Sequence, residues 1–377
     1  NFGGRINMHG DLALLASNQY SKAKRLNPAV CGSGLFMEAI EQNPVYYELA
    51  FEMPCHPDSI DLRAWLKQYA PRRYGAFSPA TQKAWMLLLE GPYRQGTNGT
   101  EKSSIVAARP ALDVKKSGPN AGLEIPYDPA LIIRAQSLLL EDADKLSASR
   151  PYRFDLVDVQ RQMMTNLGQL IHRKAAEAFR SKDREAFTLH SGRFLGMLAD
   201  MDTLLRTRSE YSFDRWLTEA RSWGETEEEK NQMERDATSL VTIWGADGDP
   251  RIFDYSWREW AGLINGYYLP RWQKFYTMLQ QHLDEGTSYE EAGLPQIYGR
   301  EAFRANDFYH ALAEWELSYV DTYGKARIPA TEGDEIDIVK RLFKKYFKLS
   351  QEYYTDSIKL IKPSRDERTY ENLGEDL

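Results

Sequence analysis

The chain contains 377 residues, of which 42% are hydrophobic and 27% charged, a balance typical of one large folded domain or two smaller ones. Its 48 Lys and Arg residues against 55 Asp and Glu residues give a net charge of -7. This argues against a nucleic-acid partner, which needs a basic surface to neutralise phosphates. No stretch of about 18 apolar residues occurs, so we expect no membrane span.

The first 58 residues have a mixed pattern. Residues 1–4 (Asn-Phe-Gly-Gly) lack an initiator Met and a leader pattern, so we expect the chain to be a fragment of a longer protein. Apolar spacing predicts a helix over 11–24, and the short apolar run at 29–34 predicts a buried strand. A loop at 35–42 and a helix from Asn43-Pro44 to about residue 53 follow. Helix, strand, loop and helix in this order are typical of the closing segments of a (β/α)8 barrel.

From residue 59 onward one helical pattern follows another. Apolar periodicity and capping signals predict helices over 59–69, 78–91, from 128, 154–179, 183–205, 212–223, 226–244, 254–283 (interrupted at Pro270), 301–322 and 334 to about 360. The stretch 94–127 is irregular and is interpreted as a surface loop or a cross-domain arm. The sequence therefore predicts a mainly α fold, with the end of a barrel at 1–58, an all-α domain at 59–361 and a polar tail at 362–377.

Glu38 is the candidate catalytic residue. It lies in the loop after the predicted strand, where barrel enzymes place their catalytic groups. Gly32 and Gly34 allow the backbone to approach a ligand closely. Phe36 and Met37 flank the carboxylate and are expected to shield it partly from water, as glycosidases do when they tune such groups. The alternative is that Glu38 is a solvated loop acid or a helix cap.

Several motifs occur in the order found in one known family. They are the run Gly-Ser-Gly-Leu-Phe-Met-Glu-Ala-Ile-Glu-Gln-Asn at 32–43, together with 1–4, 72–75, 244–245, 254–255 and 267–272. They resemble the α-N-acetylglucosaminidases, glycoside hydrolase family 89, whose Gly-x-Gly-x-x-x-Glu-Gly-Ile-x-x-Asn run contains the nucleophile. Ala39 stands where the animal enzymes usually have Gly. Residues 5–9 also differ from the family's Asn-His segment, so no substrate-binding histidine is carried onto Ile6, and His9 is interpreted as a surface or capping residue.

The resemblance implies a retaining glycosidase that releases terminal, non-reducing α-linked N-acetylglucosamine from glycans such as heparan-type chains. Glu38 would be the nucleophile. The resemblance implies that its acid/base partner, about 5–5.5 Å away in such enzymes, lies on an earlier barrel strand, and no residue here matches that motif. We therefore expect this chain to need the missing N-terminal barrel segment and to be inactive alone.

The resemblance also implies that Trp244 and Tyr255 shape the sugar pocket, with Asn1 and Phe2 lining it from an adjacent strand end. The alternative for Trp244 and Tyr255 is packing between domains. No cofactor is implied, and no metal site is expected because the six histidines lack ligand spacing. The family works in lysosomes or outside bacterial cells, and the single glycosylation sequon favours a secreted or periplasmic bacterial protein over a lysosomal one.

Two other functions remain open at the level of sequence. A non-catalytic helical module that binds a glycan or a protein would expose an aromatic patch. Another type of helical glycosidase would need a second carboxylate of this chain close to Glu38. Arg72 and Arg73 are interpreted as structural residues that pair with carboxylates across the domain boundary. Cys31 and Cys55 are expected to be free and buried.

Overall fold

The computed structural model describes residues 5–38, 41–94, 96, 101–118, 122–244, 253–291, 305–327 and 330–354. Within these ranges the fold is mainly α, as predicted, and its only β pairings are two isolated bridges. The helices are α1 Leu12–Ala16, α2 Gln19–Leu26, α3 Pro44–Glu52, α4 Leu62–Tyr74, α5 Pro79–Glu90, α6 Ala130–Glu141, α7 Arg150–Arg180, α8 Arg184–Leu205, α9 Phe213–Arg221, α10 Glu227–Leu240, α11 Leu269–Glu285, α12 Asp307–Asp321 and α13 Glu335–Tyr353. The described residues also form two 3₁₀ turns, Met53–Cys55 and Ser209–Tyr211, and a π-helical turn, Ile264–Tyr268. The predicted tail at 362–377 and the sequon lie outside the described residues.

Several helices begin at capping residues that can be recognised in the sequence. The Ser78 hydroxyl accepts hydrogen bonds from the first amides of α5, and Pro79 occupies the first helical position, where no amide is needed. Thr226 and Glu229 form the expected capping box of α10. These contacts are local in sequence, which is why the helix starts could be predicted.

Helix α7 is the central element of the fold. It packs against α4, α6, α8 and α13, and its buried residues lie on all of its sides rather than along one stripe. The buried set includes several polar residues, among them Asp155, Asp158 and Arg161. Because buried charges must be paired, this helix organises ion pairs with distant segments. Arg161 donates to Glu259 at 2.5 Å and to the carbonyl of Ile6 at 2.7 Å.

The predicted strand at 29–34 is wrong. This segment forms no strand and is largely exposed, and Cys31 is exposed with it. A strand needs a neighbour that accepts and donates its backbone hydrogen bonds, and the described residues offer it none. Cys55 is exposed too, at the end of a 3₁₀ turn, so the expectation that both cysteines are buried is also wrong.

The helix predicted over 11–24 is divided into α1 and α2 at Asn18. Asn18 adopts a left-handed conformation (φ 56°), and its side-chain amide donates to the carbonyls of Met53, His56 and Asp58. A long-range contact therefore overrides the helical periodicity at this position. The helix predicted over 254–283 is wrong in its first part, since 253–263 form a buried, irregular strap before the π-helical turn and α11.

The irregular stretch at 94–127 contains a cross-domain arm rather than a surface loop. Residues 101–118 of this stretch, called the arm below, are mostly buried. Ser104 donates to Glu259 at 2.5 Å, and Arg109 pairs with Glu316 on α12 at 3.1 Å. The arm thus contributes core contacts between the strap and the helices, which composition alone does not reveal.

Arg72 and Arg73 pair with carboxylates as expected. Arg73 binds Asp155 of α7 through two hydrogen bonds of 2.6 and 2.8 Å, and Tyr74 donates to the same carboxylate at 2.8 Å. Arg72 binds Glu48 of α3 at 2.9 Å. The structural interpretation is confirmed for both arginines, but only the Arg72–Glu48 pair crosses the predicted domain boundary, since α4 and α7 both lie in the predicted all-α domain.

Candidate active site

Trp244 and Tyr255 form an aromatic pair near the end of α10. Their ring centroids lie 4.8 Å apart with planes at 64°, an edge-to-face arrangement, and both side chains are half-buried. They are separated by the stretch 245–252, which lies outside the described residues. The structure therefore brings together two residues that sequence analysis had placed in one pocket.

The backbone on both sides of this pair is unusual. Trp244 and Asp254 have positive φ angles of 50° and 54°, which are uncommon for residues other than glycine. The Trp244 amide donates to the Ser239 carbonyl at 2.6 Å, and the Asp254 amide donates to the Thr242 carbonyl at 2.7 Å. These bonds stabilise the strained turns, and such strain concentrates at functional sites. Helix α10 ends at Leu240, earlier than predicted, and Trp244 lies in the turn beyond it.

A buried ion pair lies behind Tyr255. The guanidinium of Arg5 donates from Nε to the Tyr255 carbonyl at 2.9 Å and from Nη1 to Glu101 at 3.0 Å, and both charged side chains are fully buried. The same guanidinium lies 5.5 Å from the centroid of the Tyr255 ring. Tyr255 is therefore held from behind by a cation that has no access to water.

A second buried network holds Asp254. Arg271 donates to Asp254 at 2.9 Å and to Glu316 at 3.1 Å, and Arg109 pairs with Glu316. Burial raises the pKa of Asp254 to about 7, although the positive charge of Arg271 opposes this rise. Two arginines, Arg109 and Arg271, and two acids, Asp254 and Glu316, thus form one buried network. Asp254 directly precedes Tyr255 in the sequence.

Glu38 lies close enough to this site for its charge to act on it. Burial raises the pKa of Tyr255, and the negative charge of Glu38 raises it further. Glu38 is itself exposed, and Phe36 and Met37 beside it are exposed as well. The expected apolar shielding of the carboxylate is therefore wrong, because these side chains point to water instead of packing over it.

Arg258 is a residue near Glu38 and Glu41 that was not predicted from the sequence. Its side chain is almost fully buried and lies 5.4 Å from the Trp260 ring, and Nη1 donates to the carbonyls of Ser256 and Trp257 at 2.8 and 3.1 Å. Burial lowers the pKa of Arg258 to about 10, and the negative charges of Glu41 and Glu38 oppose that change. The only signal in the sequence was an arginine within the aromatic run of the strap.

Four other positions considered in the sequence are Asn1, Phe2, Ile6 and His9. Asn1 and Phe2 lie outside the described residues, so their place in the pocket stays a prediction. His9 is half-buried and its backbone amide donates to Asn43 at 2.9 Å, while Ile6 is buried.

In the described part of the chain no cluster of His, Cys, Asp or Glu side chains is arranged to hold a metal ion, and no helix there is long and apolar enough to cross a membrane.

The chain is similar in sequence to known proteins. Residues 65–345 match the C-terminal domain of α-N-acetylglucosaminidase, and residues 1–57 match the TIM-barrel domain of the same family. The chain is 32% identical to human α-N-acetylglucosaminidase over 356 residues, which is 92% of this chain and 44% of the human protein.

Solved structures give the same result. A family 89 glycoside hydrolase from Clostridium perfringens in complex with PUGNAc superposes with a TM-score of 0.81 at 28% identity, over 92% of this chain and 38% of that one. The Clostridium perfringens enzyme with two Glu→Gln substitutions, in complex with its substrate GlcNAc-α-1,4-galactose, has a TM-score of 0.80 at 27% identity, over 91% of this chain and 38% of that one. The chain thus spans less than half the length of these relatives.

Proposed function

Because the chain belongs to the α-N-acetylglucosaminidase family, glycoside hydrolase family 89, we propose that it supplies the nucleophile and part of the sugar pocket for hydrolysis of terminal α-linked N-acetylglucosamine. Its fold is that of closing barrel segments followed by an all-α domain, in agreement with the sequence prediction. The observation that carries the proposal is the edge-to-face packing of Trp244 against Tyr255, the two aromatic residues that the family resemblance assigns to the sugar pocket.

The proposed role of Glu38 is attack on the anomeric carbon. In that role the carboxylate attacks as an anion and forms a covalent bond to the sugar. In a retaining mechanism a second carboxylate protonates the leaving oxygen and then activates water to release the sugar. The two Glu→Gln substitutions in the substrate complex of the Clostridium perfringens relative fit a reaction with two such groups.

We place the second carboxylate outside this chain. Glu41 is the nearest acid in the sequence of the loop, but it faces Arg215, with 3.7 Å between the charged atoms. The proposal therefore requires the remainder of the barrel, and the 377 residues alone are expected to bind the sugar without hydrolysing it. Natural glycans of the heparan type stay a prediction from the family resemblance, as does a secreted or periplasmic location.

The proposed pocket wall is the aromatic pair. Half-buried rings held edge to face present a rigid apolar surface, and the C–H face of a pyranose packs on such a surface at small entropic cost. We assign Trp244 and Tyr255 to this wall, with Asn1 and Phe2 beside them. Arg5, which is paired with Glu101, lies behind Tyr255 in this wall.

The test is Glu38→Gln in a protein that carries the complete barrel. We expect loss of turnover of an aryl α-N-acetylglucosaminide by a factor on the order of 10⁴ with unchanged circular dichroism, because glutamine cannot form the glycosyl ester. Glu41→Gln is the matched control and should retain turnover within about threefold. Full activity of Glu38→Gln would remove this residue from its role. A wild-type protein that binds N-acetylglucosamine without any turnover would favour the non-catalytic binding module.

A further inference from the structure

Arg5 joins three segments that are far apart in the sequence. Its Nε donates to the carbonyl of Tyr255 in the strap, and its Nη1 donates to Glu101 in the arm. The sequence separations are 250 and 96 residues. Gly118, also in the arm, approaches the same guanidinium so closely that a Cβ built there would lie 3.2 Å from Nη2 and 2.9 Å from the carbonyl oxygen of Asp254. Strap and arm therefore meet at one buried side chain.

The geometry uses properties that only arginine has. The planar guanidinium presents several donors in a fixed fork, so bonds to Glu101 and to Tyr255 are made in fixed relative directions. Its flat cation also lies 5.5 Å from the Tyr255 ring centroid. A lysine at this position keeps the charge, but its single ammonium group cannot reach both acceptors from the directions that the guanidinium uses.

We propose that Arg5 is a positioning residue for Tyr255: it fixes the ring in the orientation that meets the sugar beside Glu38, and it thereby determines substrate affinity. This inference rests on the proposed function. Arg5 itself is fully buried and touches neither the reacting atoms nor the solvent. Its effect reaches the pocket through the carbonyl and the ring of one residue, and that residue contacts Trp244.

The first test is Arg5→Lys in a protein that carries the complete barrel. A misplaced pocket wall weakens binding without changing the attacking carboxylate, so KM should rise about tenfold while kcat stays within about twofold. Arg73→Lys is the matched control, because Arg73 is likewise mostly buried and makes two hydrogen bonds to one acid, Asp155 on α7. The control should lower the melting temperature and leave KM unchanged. Equal KM values for wild type and folded Arg5→Lys would overturn the inference.

The second test does not depend on turnover. The 377-residue chain labelled with 3-fluorotyrosine gives a ¹⁹F resonance for Tyr255 that is identified by its loss in Tyr255→Phe. Arg5→Lys should shift this resonance and Arg73→Lys should not. An unmoved resonance in Arg5→Lys would refute the positioning role even if the proposed function fails. Conversely, a wild-type protein with the complete barrel that shows no turnover, together with a shifted resonance in Arg5→Lys, would refute the proposed function alone.

Gly118→Ala provides the second variant if Arg5→Lys does not fold. It removes no charge, and its new methyl group must displace the guanidinium of Arg5 or the Asp254 carbonyl. We expect a rise in KM in the same direction, together with a shift of the Tyr255 resonance. A folded Gly118→Ala protein with wild-type KM and an unshifted resonance would contradict the inference.

Discussion

Asp254 should make the stability of this protein depend on pH in a direction opposite to most carboxylates. The side chain is almost fully buried beneath the strap, with Arg271 as its ion-pair partner and with Glu316 and Arg109 in the same network. Burial raises its pKa in the folded state to about 7, above the ordinary value of 3.8 that applies in the unfolded chain. The folded state therefore keeps a proton between these two pH values that the unfolded state releases.

The sign and the magnitude follow from proton linkage. The stabilising contribution of Asp254 is fully present below about pH 4 and is lost as the pH rises through the folded-state pKa of about 7. A difference of about three pH units, at about 1.4 kcal/mol each, corresponds to a loss of about 4 kcal/mol in the free energy of unfolding. Asp254→Asn removes the titrating group while retaining an oxygen that can accept from Arg271.

The measurement is urea unfolding followed by circular dichroism at several pH values from 4.5 to 8. Other groups titrate in the same window, among them His172, whose pKa burial lowers to about 4, so the informative quantity is the difference between wild type and variant. We expect the free energy of unfolding of Asp254→Asn to fall less steeply with rising pH than that of the wild type. Parallel curves would refute the reasoning, since they would show that Asp254 is ionised in both states throughout.

Two further predictions concern the pocket and the core. Trp244→Ala should raise KM for an aryl α-N-acetylglucosaminide about tenfold in a protein that carries the complete barrel, because it removes one half of the proposed wall, whereas Trp223→Ala, at a tryptophan that is 84% exposed, should leave KM unchanged. Asp155→Ala should lower the free energy of unfolding by about 3–5 kcal/mol, because it leaves Arg73 and Tyr74 buried without their shared acceptor. Asp58→Ala, which breaks the exposed pair with Arg25, should change that free energy by less than about 1 kcal/mol in the same urea titration. Equal effects of the two aspartate substitutions, or of the two tryptophan substitutions, would contradict these assignments.

Much of the helical architecture was determined by the sequence alone. The starts of α5 and α10 follow from Ser78-Pro79 and from the Thr226–Glu229 capping box, and these signals need no contact beyond one helical turn. The motif around Glu38 likewise indicated the family directly, since a motif is a property of the sequence. Local hydrogen bonds and motif spacing can be read from neighbouring residues, which explains why these predictions agree with the structure and the relatives.

Only the tertiary structure decided the rest. The run at 29–34 has the composition of a strand, but the described residues offer it no neighbour to pair with. Asn18 breaks a helical pattern because its side-chain amide donates to three carbonyls more than thirty residues away. The edge-to-face contact of Trp244 with Tyr255 depends on how the strap folds back on the turn after α10, where the Asp254 amide donates to the Thr242 carbonyl. The bond from Arg5 to Tyr255 spans 250 residues, and no periodicity or propensity encodes a partner at that distance. Burial makes such pairs obligatory once the chain has folded, because a charge removed from water must be neutralised by whichever group the fold brings to it.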